Sequence, residues 1–137
     1  MMTSRAVDIL TRYTGTPYKH QGRDFTGLDC YGLILQVFKD FGIDLPDVCG
    51  DYSADFAWRG KDYFLEQFCQ DWTQVEKPSF LDVVAFKTKN GVVNHAGVML
   101  DEVRFIHTCK AGTVCARVPE LIKIYHLAGY YRHRRML

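Results

Sequence analysis

The chain has 137 residues, 47% of them hydrophobic and 14% aromatic, which is the size of one compact domain with enough apolar mass for a core. Seventeen Lys and Arg against sixteen Asp and Glu leave a net charge of +1, so no global charge argues for nucleic acid or an anionic membrane. Five cysteines, none in a C-x-x-C pair, do not read as a disulfide framework or zinc ribbon, so reduced thiols are expected, and no run approaches the roughly twenty apolar residues of a membrane span. Asp8 stands where a secretory signal would begin its apolar stretch, so synthesis in the cytoplasm without a signal peptide is expected.

From Ser4 to Tyr13, apolar residues at three- and four-residue steps behind Thr3 or Ser4 predict a short amphipathic helix. The glycine-punctuated stretch from Thr14 through Gly27 reads as a loop rather than a regular element. After Asp29, the run from Cys30 to Phe41 is apolar on nearly all sides and stops at Gly42, which predicts a buried helix with Asp29 as its cap. The aromatic middle, 47–74, admits a helix from Asp62 onward. Beyond Pro78 come the runs Asp82 to Lys87, His95 to Leu100, Arg104 to Cys109 and Thr113 to Val118, separated by Asn90-Gly91, 101–103 and Ala111-Gly112; they predict an antiparallel meander. A last run, Tyr125 to Arg132, reads as a further strand closing the sheet. Helices followed by strands make an α+β domain, with 1–137 as a single unit.

Cys30, at the first turn of the buried helix, is the residue to weigh first. Backbone N–H groups and the helix dipole there favour a thiolate, which predicts a lowered thiol pKa and a nucleophile. The plain alternative is a small buried apolar residue. A thiol nucleophile needs a base held by a third polar group. His95 opens one strand and His107 lies twelve residues later on the next. If Asp101 to Arg104 forms the hairpin turn, the two histidines approach each other as base and orienter.

At these residues the chain resembles the NlpC-type cell-wall cysteine peptidases. Gly15-Thr16-Pro17-Tyr18, then Leu28-Asp29-Cys30-Tyr31-Gly32-Leu33 and Gly42-Ile43-Asp44-Leu45-Pro46, look like that family's N-terminal half. Leu81-Asp82-Val83-Val84-Ala85-Phe86, Asn94-His95-Ala96-Gly97-Val98 and Phe105-Ile106-His107 are similar to its C-terminal half, in the same order. The resemblance implies a papain-like fold and hydrolysis of amide bonds in peptidoglycan stem peptides, commonly after a D-glutamyl residue linked through its side-chain carboxyl. It puts the nucleophile on Cys30, the base on His95 and the third polar residue on His107. Tyr18 matches the tyrosine beside the thiol, and with Asp29 and Tyr31 it falls in the substrate and oxyanion region. Four positions depart from the family pattern: Tyr31 for Ser, Gln21-Gly22 for paired glycines, Leu81 for Gly and Ala96 for Val. The last two read as packing changes.

No metal or cofactor is implied. His107, Cys109 and Cys115 lack zinc spacing, and strand alternation is expected to bury the two thiols. Cys49, Cys69, His20, His126 and His133 have no matching context. Tyr130-Tyr131 with Arg132, Arg134 and Arg135 could grip an anionic polymer, but a closing strand and solvated tail account for them better. Small members of such a family resemble phage-tail peptidases, so a cell-wall substrate reached through tail proteins as partners is the expectation. An intracellular amidase or acyltransferase on a small γ-glutamyl or lipid-like substrate is one alternative. A structural tail-assembly protein with dispensable chemistry is the other.

Overall fold

A computed structural model describes residues 2–46, 71–87, 91 and 93–137. Helix α1 (Ser4–Tyr13) is opened by Thr3, whose hydroxyl oxygen accepts from the Ala6 N–H. It buries Ala6, Ile9 and Tyr13 at the spacing of one helical face. The following segment is more ordered than its glycines suggest. Strands β1 (Arg23–Asp24) and β2 (Gly27–Leu28) form a small hairpin, and Tyr18 bridges to Leu28.

Helix α2 (Cys30–Asp40) begins directly after this hairpin, with Asp29 as its N-cap. Seven of its eleven residues are buried, so apolarity on nearly all sides reflects real enclosure. It lies against strands β5 and β6 of a six-stranded antiparallel sheet. The strands are β3 (Trp72–Val75), β4 (Val83–Lys87), β5 (Val93–Met99), β6 (Arg104–Cys109), β7 (Gly112–Arg117) and β8 (His126–His133), in the order β3-β8-β4-β5-β6-β7. A one-turn helix, α3 (Val118–Leu121), links β7 to β8.

The β4 to β7 meander matches expectation, and Asp101 makes the β5–β6 turn by accepting from the N–H groups of Val103 and Arg104. One expectation is corrected: Trp72 to Val75 is a strand rather than the end of a helix, while 62–70 lies outside the described residues. The last run forms the expected further strand of the sheet, β8, which returns between β3 and β4. Arg132 on β8 clamps it there, its Nε and Nη2 each 2.8 Å from one oxygen of the fully buried Asp82.

Alternation along the strands divides the core into two. Val83, Ala85 and Val98 face α1 and α2, while Val84, Phe86, Met99 and Phe105 face the other way under Val118, Leu121 and Tyr125. Cys115 is exposed and Cys109 only partly covered, so strand alternation does not bury these thiols as expected. Cys115 lies on the edge strand β7 and Cys109 at the end of its neighbour β6, where cover is incomplete.

Two departures from the family pattern acquire a backbone meaning. Among the described residues, Gln21 and Leu81 are the non-glycine residues at left-handed backbone angles, with φ of 58° and 69°. Both occupy positions where glycine is usual in the family, so the Leu81 exchange is one of backbone conformation and not of packing alone.

Candidate active site

The site is assembled where the first turn of α2 meets β5. Asp29 sets the start of the helix: its Oδ1 accepts from the Gly32 N–H at 2.7 Å and from Arg23 Nη1 at 3.0 Å, and its Oδ2 accepts from the Gln21 N–H at 3.0 Å. One buried carboxylate thus caps α2 and pins the loop before it. This fixes Cys30 at the first helical position, half-buried as a residue. Glycines permit the close approach: a Cβ on Gly32 would lie 2.1 Å from the Gly22 carbonyl oxygen.

The backbone N–H groups of Ala96, Tyr31 and Cys30 itself act on the sulfur and favour its ionised form. Ala96 follows His95 on β5, so this contact seats the thiol against the histidine's strand. The expected lowering of the thiol pKa is nevertheless overturned. Loss of solvent, followed by the Asp29 charge, outweighs the N–H groups and pushes the Cys30 pKa up to about 12. The thiol therefore rests protonated.

His95 is re-aimed by a bulge. Phe86 pairs with His95, but Lys87 pairs with Val93, which leaves Asn94 as the extra residue of β5. His107 lies on β6, and the two histidines meet with Nε2 of His95 2.7 Å from Nδ1 of His107. The ring planes stand at 77°, with centroids 5.0 Å apart. Burial, followed by the charge of His107, holds the His95 pKa down to about 3, and burial holds His107 down to about 4. Both imidazoles are neutral at pH 7, so one donates its ring N–H and the other accepts.

The remaining candidates separate. Tyr18 is half-buried on the hairpin side, and burial followed by the charges of Asp29 and Cys30 raises its pKa, which places it within electrostatic reach of the thiol. Tyr31 is corrected: its ring is only 2% exposed, packs in the main core and donates its hydroxyl to the Pro46 carbonyl. It braces the chain leaving α2 and does not shape a substrate surface. Asp29 acts on Cys30 through charge and capping, with its oxygens turned to the loop. Among the described residues no group of three or more His, Cys, Asp or Glu could hold a metal ion.

Sequence reasoning passed over Tyr125, which follows α3 and stacks against His95 with centroids 5.8 Å apart. Its signal, an aromatic between a short helix and the last strand, carried no pattern of its own.

Two outcomes follow from these environments. Between about pH 6.5 and 4 the unfolded chain binds protons on His95 and His107 that the folded chain refuses, so stability falls as pH falls. Each histidine contributes at most about 1.4 kcal/mol per pH unit, and the buried His133, also shifted down, acts in the same direction. Urea midpoints at pH 7, 6 and 5 should decline steadily, and a His107→Gln variant should decline less steeply; equal slopes would contradict the neutral pair. The second concerns Asp29. In Asp29→Asn the charge that raises the Cys30 pKa is gone, so alkylation of Cys30 by iodoacetamide at pH 8 should quicken several-fold. The same exchange replaces the Asp29–Arg23 ion pair by a neutral contact, while Arg23 Nη1 keeps its bond to the Gly22 carbonyl, so stability should fall as well. An unchanged alkylation rate in the folded variant would remove Asp29 from the electrostatics of the thiol.

The start of α2 thus seats Cys30 against β5, the strand that carries His95, and His107 meets His95 from β6. The model of the NlpC/P60 family matches residues 15–132, a span that includes Tyr18, Cys30, His95 and His107. The chain belongs to the NlpC/P60 family. It is thereby a member of a family of endopeptidases and hydrolases. It is 27% identical over 133 residues to "Probable endopeptidase NlpC" of Escherichia coli (strain K12), covering 94% of this chain and 75% of that protein. Among solved structures, the NlpC/p60 domain of peptidoglycan hydrolase SagA aligns with a TM-score of 0.60 at 20% identity, covering 92% of this chain and 96% of that one. An NlpC/P60 family protein from Bacillus cereus aligns with a TM-score of 0.68 at 21% identity over 97% of this chain, although this chain spans only 41% of that one. These structural likenesses show the fold, and they agree with helices packed on a curled antiparallel sheet.

Proposed function

We propose that this NlpC/P60 protein is a cysteine peptidase that hydrolyses amide bonds in the stem peptides of peptidoglycan, with Cys30 as nucleophile, His95 as general base and His107 as the group that orients it. The observation that carries the reading is the 2.7 Å contact between His95 Nε2 and His107 Nδ1 on the strand whose Ala96 N–H reaches the Cys30 sulfur. The family and the words "endopeptidase" and "peptidoglycan hydrolase" attached to its relatives support the substrate class.

In this reading His95 donates Nε2–H to His107, which leaves Nδ1 as the acceptor for the thiol. Neutral thiol and neutral imidazole form the resting pair. As the sulfur attacks the amide carbonyl, its proton passes to His95, and the carbonyl oxygen takes the negative charge. The Cys30 backbone N–H, which has no acceptor within the helix at its first position, turns to meet that charge, and Tyr18, kept neutral, supplies a second donor. His95 then protonates the departing amine, leaving a thioester. Water attacks the thioester with His95 as base, releasing a carboxylate and restoring the thiol.

The test is to incubate the protein with peptidoglycan fragments of known structure and to identify products by mass spectrometry. One new amine and one new carboxyl within the stem peptide support the reading. Transfer of the acyl group to an added amine without hydrolysis, or intact fragments throughout, would replace it.

A further inference from the structure

Among the described residues, no carboxylate acts on the histidine pair to balance the positive charge that His95 takes on during the reaction. What surrounds it is aromatic. The rings of His95, Phe86 and Tyr125 form a near-equilateral triangle, with centroid separations of 5.8 Å from His95 to Tyr125, 6.1 Å from His95 to Phe86 and 6.1 Å from Phe86 to Tyr125. Tyr125 lies closest to parallel with the imidazole, at 23°, and Phe105 stands 4.9 Å from His107. Tyr125 reaches this position because α3 ends in a turn whose N–H groups return to Leu121, and a bulge at Ala128 lets β8 start beside Phe86.

We infer that Tyr125 is a positioning residue for the reaction: its ring face holds the His95 imidazole in plane and stabilises the imidazolium that forms as Cys30 gives up its proton. This rests on the reading of Cys30 and His95 as the reacting pair. The physical basis is the attraction of a cation to the negative face of an aromatic ring within about 6 Å, which strengthens where water is excluded. Neutral imidazole gains little from that face, so the stabilisation is present mainly in the charged state and favours the transition state over the resting enzyme. Among the described residues, the ionisable groups against His95 are His107 from β6 and Tyr125 itself, with the Cys30 thiol held at the neighbouring Ala96 N–H. Among the described residues, His107 is the one whose charge acts on the histidine, and it opposes protonation. The aromatic face is therefore the group on this side of the site that favours the imidazolium.

The competing role for Tyr125 is plain packing, since it also lies against the smaller core, beside Phe86. The two roles separate when ring electrostatics change at constant shape. Tyr125→Phe should keep peptide cleavage and Cys30 alkylation within about twofold. Phenylalanines with one, three and five ring fluorines at position 125 should lower both rates progressively, the five-fluorine ring by about tenfold, with thermal midpoints unchanged within a few degrees. Alkylation is measured on the Cys30 peptide by mass spectrometry, beside His95→Ala as reference. A rate that depends on His95 but is flat across the fluorine series overturns the inference and leaves the peptidase reading intact. A Cys30 rate no faster than in His95→Ala overturns the reacting pair, and the inference with it. A graded alkylation series without cleavage of peptidoglycan fragments supports the inference while refuting the substrate.

Discussion

Cys30→Ala should lower cleavage of peptidoglycan fragments by about 10⁴-fold or more while leaving stability within about 1 kcal/mol of the parent. The asymmetry follows from the site. The sulfur is the atom that bonds to the substrate, and no other thiol among the described residues lies near His95: Cys109 and Cys115 sit on the β6–β7 edge, one half-covered and the other exposed. For stability, the residue is half-buried at a helix start fixed by Asp29, whose cap to the Gly32 N–H does not involve the Cys30 side chain. The protein already keeps the thiol neutral, so its removal frees no buried charge. Cys30→Ser should be equally inactive, because a hydroxyl resists giving its proton to an imidazole whose own pKa is held near 3. Residual cleavage above about one hundredth of the parent in Cys30→Ala, on clean protein, would move the chemistry elsewhere. Cys109→Ala and Cys115→Ala should leave the rate unchanged.

What the chain reveals of this site is local in origin. Asp29 as cap, Cys30 at the first turn, and His95 and His107 across a turn at Asp101 are all set by short spacings, so they could be placed from the sequence. The reach between the histidines depended on one condition, a hairpin at 101–104, which Asp101 satisfies with its own side chain. What escaped is set by contacts distant in sequence. The return of β8 beside β4 rests on Arg132 meeting Asp82, fifty residues away, and periodicity carries no trace of that pairing. Tyr31 neighbours the nucleophile in sequence, yet its position in the first turn points the ring into the core. The thiol pKa shows the limit most sharply. The helix N-terminus and its N–H groups were legible and do favour the thiolate, but the desolvation that exceeds them arises from tertiary burial, which local spacing does not report. Gln21 and Leu81 show the reverse: their unusual identity was visible, but only the backbone angle explained it.

Gly97→Ala should cost more activity than stability. The register that pairs Val98 with Ile106 continues to place Gly97 across from His107, where two facing side chains would normally stand close together. A Cβ at Gly97 would lie 2.7 Å from the Ile106 carbonyl oxygen, 2.7 Å from the Phe105 ring and 3.1 Å from the His107 Cβ. The first of these is backbone and cannot rotate aside, so the strands must part locally. That movement carries His107 away from His95, and the 2.7 Å contact between the rings is the first casualty. Overpacking of this kind costs about 1–3 kcal/mol, which a folded protein usually survives. An imidazole that has lost its orienting partner samples the wrong tautomer and direction, so kcat/KM should fall by about 10²-fold, mostly in kcat. A stability control separates the two effects: Ile9→Val, in the α1 face far from the histidines, costs about 0.5–1.5 kcal/mol and should keep nearly full activity. If Gly97→Ala and Ile9→Val lost activity only in proportion to their thermal midpoints, the open face of β5 would be a packing convenience. A deep fall in kcat for the alanine variant alone would mean that the missing side chain at position 97 is what lets the two histidines meet.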